Sequence, residues 1–133
     1  MKNKRKNNIS TKDLTELKRH CEQILNLSES IRYVGIANRF GRTLAGKLRQ
    51  DVKPLLKPED ARNEFFMQSM MLLSRENYEK DMGKTEYILT ENKKVKTITL
   101  SYNNLIYRVT VEKKLSLNDI DSLIKKLQKL VKK

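Results

Sequence analysis

Three places in this 133-residue chain bring together residue types that could do chemistry. Gly41-Arg42-Thr43-Leu44-Ala45-Gly46-Lys47-Leu48 has the spacing of a phosphate-cradling loop, in which backbone N–H groups wrap a phosphate and the lysine reaches its oxygens. The chemistry fails at the next position, where Leu48 stands in place of the Ser or Thr that would hold magnesium, and no helix is signalled after it. The segment reads instead as a strand whose glycines mark a turn and a bend. His20 and Cys21 suggest a thiolate–imidazole pair, yet adjacent helical residues do not face each other. Cys21 falls on an apolar stripe as an inert core residue and His20 on the face toward water. One His and one Cys fall short of a metal ligand set, so no catalytic, metal or cofactor site is expected and the chain reads as a non-enzyme.

The third place is the run Phe65, Phe66, Met67, Met70, Met71, Leu72 and Leu73, interrupted only by Gln68 and Ser69. At helical spacing these side chains surround the helix, whereas a surface helix of a monomer needs one apolar stripe. Thioethers adapt to irregular partner surfaces. Core packing and a docking surface are both open uses; the excess favours a second apolar surface covering Phe65, Phe66, Met67, Met70, Met71 and Leu73.

Charge is the remaining signal: 29 Lys plus Arg against 16 Asp plus Glu give +13. Lys2, Lys4, Arg5 and Lys6 near one end, with Lys113, Lys114, Lys125, Lys126, Lys129, Lys132 and Lys133 toward the other, could neutralise phosphates by counterion release. No base-reading or stacking signature accompanies them. Sequence-independent nucleic-acid binding through the arm and the last helix is therefore the alternative reading. No apolar stretch spans a bilayer and no lipidation signal adjoins the basic arm, so no membrane partner is expected. The single cysteine excludes an internal disulfide framework, and a cytoplasmic protein is the default.

The elements that would position these residues follow from periodicity. Residues 1–9 read as a flexible basic arm, and 10–133 as one domain. Ser10 with Asp13 is placed as a capping box and Ile9 with Leu14 as a hydrophobic staple, opening a helix with Leu14, Leu17, Cys21, Ile24 and Leu25 on one stripe. Ile31–Ala37 and Thr43–Leu48 read as a hairpin around Asn38-Arg39-Phe40-Gly41. Pro58, Glu59 and Asp60 suit the first turn of a helix running to about Asp81. The period then becomes two: Lys84–Thr90, Val95–Ser101 and Leu105–Glu112 read as a three-stranded meander. Its Thr97, Thr99, Arg108 and Thr110 positions give it a wetter face. Ser116 and Asp119 cap a last helix carrying Leu117, Ile120, Leu123, Ile124, Leu127, Leu130 and Val131.

This order, with Ile31-Arg32-Tyr33-Val34-Gly35-Ile36-Ala37-Asn38-Arg39-Phe40-Gly41-Arg42-Thr43-Leu44-Ala45 as its first hairpin, resembles the roadblock/LC7 and profilin-like domains over about Ser28 to Val131. The same hairpin and the acidic, proline-flanked helix entry also look like a group of short archaeal proteins of unknown function. The resemblance implies an α+β fold: a five-stranded antiparallel sheet with the two terminal helices on one face and the middle helix on the other. It also implies pairing through the middle helix and a neighbouring edge strand. The expectation is a non-enzymatic, homodimerising scaffold or regulatory interaction module, with other protein partners open to it.

Overall fold

Apolar residues at three-and-four spacing fold Thr11–Leu25 into helix α1 in a computed structural model that describes residues 11–132. The expected cap and staple residues Ser10 and Ile9, the basic arm and Lys133 lie outside the described residues. Strands β1 (Ile31–Asn38) and β2 (Thr43–Leu48) form the first hairpin. The Asn38 Oδ1 accepts from the backbone N–H groups of Phe40 and Arg42, and Gly41 takes φ +77°, so an asparagine and a glycine close the turn. Helix α2 (Pro58–Ser74) begins with proline in its first turn and with Glu59 and Asp60 against the positive end of the helix dipole.

The helical run expected to reach Asp81 breaks at Ser74. Ser74 Oγ donates to Met71 O and Asn77 Nδ2 donates to Ser74 O, so side chains compete for carbonyls the helix would use. A 3₁₀ turn (Arg75–Tyr78) and a short helix α3 (Glu79–Met82) follow, closed by Gly83 at φ +84°. Strand β3 (Ile88–Glu91) starts four residues later than the alternation from Lys84 implied. Strands β4 (Val95–Tyr102) and β5 (Leu105–Glu112) turn on Asn103 and Asn104, both with positive φ as a tight hairpin requires. Helix α4 (Leu117–Val131) is capped by Ser116, whose Oγ accepts from Asp119 N at 3.2 Å.

All five strands join one antiparallel sheet in the order β2-β1-β5-β4-β3. One face is apolar: Val34, Ile36, Ile98, Leu100, Val109 and Val111 pack with Cys21 and Ile24 of α1 and with Ile120, Ile124 and Leu127 of α4. This is the main core. The other face carries α2 and a much smaller apolar cluster, Ala37, Phe65, Leu72 and Ile106. Around that cluster the sheet presents Thr97, Thr99, Arg108 and Thr110, which the alternation marked as the wetter side. All four are buried, because α2 and neighbouring side chains cover them.

Candidate interaction face

The face is built on α2, and its geometry follows from which stripe of the helix turns inward. Phe65, Gln68, Ser69 and Leu72 are buried, at i, i+3, i+4 and i+7 spacing. Two of those four are polar, so the inward stripe is not the most apolar one. The outward flank holds Phe66, Met67 and Met71, exposed at 48%, 68% and 43%. Met70 and Leu73 are half-buried on its margins.

The six residues expected at an interface therefore divide. Phe65 is a correction: at 2% exposure it packs over Gly35, where an added Cβ would stand 2.8 Å from its ring. Its side chain is inside the protein's own core because position 65 shares the helix stripe of Leu72. Phe66, Met67 and Met71 form the exposed set. The β1–β2 turn adds a residue that sequence reasoning missed. Gly41 lies against Phe66 and Met70, with an added Cβ 2.7 Å from Phe66 Cδ1 and 3.5 Å from Met70 Cε. Next to it, Phe40 is 70% exposed. Arg39 holds the turn to the 3₁₀ turn that follows α2 through a bidentate pair with Glu76 at 2.8 and 3.0 Å. That pair keeps the Glu76 carboxyl below its usual range and borders a cleft of about 220 Å³ that Leu73, Lys84 and Asn103 also line.

Beneath α2 lies a polar layer. Glu64 Oε1 faces Arg108 Nη2 in an ion pair, and Glu64 Oε2 accepts from Gln68 Nε2 at 2.9 Å. Gln68 Oε1 accepts from Thr99 Oγ1 at 3.3 Å. The Arg108 guanidinium lies near the Tyr33 and Phe65 rings, 5.8 and 5.9 Å from their centroids, and its Nε has no hydrogen-bond partner. Burial pushes the Tyr33 hydroxyl above its usual pKa. A lone arginine among the apolar and threonine positions of β5 was the available signal for this layer.

The other sequence candidates fall elsewhere. Gly41–Lys47 is turn and strand, and Lys47 pairs with Glu22 of α1 at 2.8 Å on the surface. Cys21 is buried, and desolvation pushes its thiol up to about 11, the opposite of an activated nucleophile. His20 departs from the expected water-facing position. It is half-buried, edge-on to Tyr107 with centroids 5.7 Å apart and Nε2 3.4 Å from Leu130 O, because α4 packs alongside α1. Lys125, Lys126 and Lys129 are exposed on α4 and Lys132 just past its end, and Lys125 pairs with Asp121. Lys113 binds Glu91 and Asn92 O near the opposite end of that helix. Lys2, Lys4, Arg5, Lys6 and Lys133, proposed with them for nucleic acid, lie outside the described residues. Among the described residues no group of three or more His, Cys, Asp or Glu could hold a metal, and no helix is long and apolar enough to cross a membrane.

Comparison with known proteins decides the fold. The chain is similar to the solved structure of Myxococcus xanthus MglB, with a TM-score of 0.69 over 93% of this chain and 90% of that one at 12% identity. It is also similar to a roadblock/LC7 domain from Streptomyces avermitilis, with a TM-score of 0.59 over 87% and 98% at 8% identity. The fold is roadblock/LC7-like. A third similar structure, MglB in a tetrameric arrangement, gives 0.65 over 81% and 79% at 14% identity. No family model and no curated protein matches the sequence. In this roadblock-like chain the middle helix carries both the exposed apolar flank and the polar layer, so any use of the flank depends on how the layer seats the helix.

Proposed function

We propose that this chain is a non-enzymatic interaction module that pairs with a second copy of itself through the outward flank of α2 and the neighbouring edge strand β3. The observation that carries the reading is the set Phe66, Met67 and Met71, exposed on one side of a helix whose opposite side is already packed. A cluster of large apolar side chains on one surface marks an interaction site. Met70, Leu73 and Phe40 border it and would extend the contact. A two-fold arrangement suits such a patch, because a self-complementary face meets its own copy. The similar MglB in a tetrameric arrangement supports self-association as a use of this fold. Paired copies would then serve as a scaffold or regulatory platform for further proteins.

The test is sedimentation equilibrium of the full chain across micromolar concentrations. A mass rising to twice that of the 15.7 kDa chain is expected. A single monomeric species throughout that range would end the reading.

A further inference from the structure

Helix α2 has two stripes that could face the sheet. The stripe that does so is Phe65, Gln68, Ser69 and Leu72. A roll of about 100° would bring Phe66, Ser69, Met70 and Leu73 inward instead. That second stripe exchanges Gln68 for an apolar residue, so apolar burial alone favours it. What opposes the roll is the polar layer. In the observed seating Glu64 meets Arg108, and Gln68 meets Glu64 and Thr99. A roll carries Glu64 and Gln68 off those partners and leaves Arg108, a residue only 7% exposed, without its counter-charge. A buried charge left unpaired is strongly destabilising, whereas a buried pair replaced whole by apolar groups costs little.

We infer that the Glu64–Arg108 pair, supported by Gln68 and Thr99, fixes the rotational seating of α2 and thereby keeps Phe65 inside and Phe66 on the outward flank beside Met67 and Met71. Glu64 and Arg108 are positioning residues: neither belongs to the flank, and both act through the orientation of the helix. The inference deepens the pairing proposal and rests on it for its consequence, although the seating itself is a property of one chain.

Replacing both charges together, Glu64→Leu with Arg108→Met, removes the restraint without stranding either charge. Two readouts follow on the full-length protein. Nuclear Overhauser contacts between the Phe65 ring and the Gly35 α-protons report the observed seating, as contacts between the Phe66 ring and Gly41 do. In the double variant both are expected to disappear, and the dimer dissociation constant to rise at least 100-fold. Glu64→Gln, which retains an oxygen facing Arg108, is expected to keep both contacts. Should the double variant unfold, Gln68→Leu with Thr99→Val removes only the uncharged tie, and weakening of the same contacts is expected. Retention of the Phe65–Gly35 contact in the double variant, or in this second pair where the first is unfolded, overturns the inference whatever the mass. A monomeric wild type would end the pairing proposal alone, since the contacts report seating in either state.

Discussion

Met67→Lys is expected to separate pairing from folding. Met67 is 68% exposed in the single chain, and full burial of a methionine side chain is worth about 1.5–3 kcal/mol. Covering the part still open is then worth about 1–2 kcal/mol. A two-fold interface contains the residue twice, so its loss costs about 2–4 kcal/mol, or roughly 30- to 800-fold in dissociation constant. An ammonium brought into an apolar seam adds desolvation to that figure. On the folding side the change should stay within about 0.5 kcal/mol, as for an ordinary surface substitution. The assay is sedimentation velocity over a concentration series, paired with urea unfolding at a concentration where both proteins are monomeric, because association itself shifts apparent stability. A dissociation constant unchanged within threefold, with the fold intact, would refute the placement of Met67 at the seam. Phe65→Ala gives the opposite pattern: at 2% exposure its truncation should cost about 3–5 kcal/mol of folding stability.

Gly41→Ala should weaken both properties, since φ +77° disfavours a side chain and the new Cβ meets Phe66 Cδ1 at 2.7 Å; an unfolding free energy from urea titration lowered by about 1–3 kcal/mol, with a weaker dimer, is the expected outcome. Gly35→Ala should lower the unfolding free energy by a similar amount, because its Cβ would meet the buried Phe65 ring at 2.8 Å and Tyr33 Cε2 at 2.9 Å; an unchanged free energy would contradict the close packing of β1 under α2. Cys21 sits at about 11 in the fold against an ordinary 9.0. Its contribution is therefore whole below pH 9 and lost as pH climbs toward 11, where the unfolded thiol ionises first. Cys21→Ala should flatten that part of the curve of unfolding free energy against pH, and an unaltered slope would remove the thiol as its cause.

The order of elements was legible because each has a local cause. Ser116 and Asp119 announce α4, Asn38 and Gly41 close the first hairpin, and the two asparagines at 103 and 104 supply the positive φ of the last. The excess of apolar residues around α2 was legible too. Which of them would remain outside was not, because that depends on contacts distant in the chain. Phe65 went inward since Gly35, 30 positions earlier, leaves room for its ring, and Gln68 went inward since Thr99 meets its amide oxygen. The assignment of Thr97, Thr99, Arg108 and Thr110 to a wet face failed for the same reason. Alternation reports polarity, and a polar sheet face can be covered by a helix that brings matching polar groups. Arg49 was likewise invisible: its guanidinium donates to the carbonyls of Leu25, Ile31 and Ser28, joining the end of α1 to β1 from beyond β2.

The distribution of charge bears on whether two such chains can approach. A net +13 opposes association if the cations meet. The segment from Pro58 to Tyr87 runs the other way: Glu59, Asp60, Glu64, Glu76, Glu79, Asp81 and Glu86 outnumber Arg62, Arg75, Lys80 and Lys84. The surplus of lysine and arginine therefore lies outside the part of the chain that carries the exposed flank. The proposed pairing through α2 would bring together the least basic portions of two strongly basic molecules, and charges farther apart than about 8–10 Å are screened at ordinary salt. On this reading, raising salt from 0.05 to 0.5 M should strengthen the dimer only slightly, because the repulsion it relieves is distant while the apolar contact is indifferent to ions. A dimer that falls apart in high salt would mean that ion pairs, and not Phe66, Met67 and Met71, hold the two copies together.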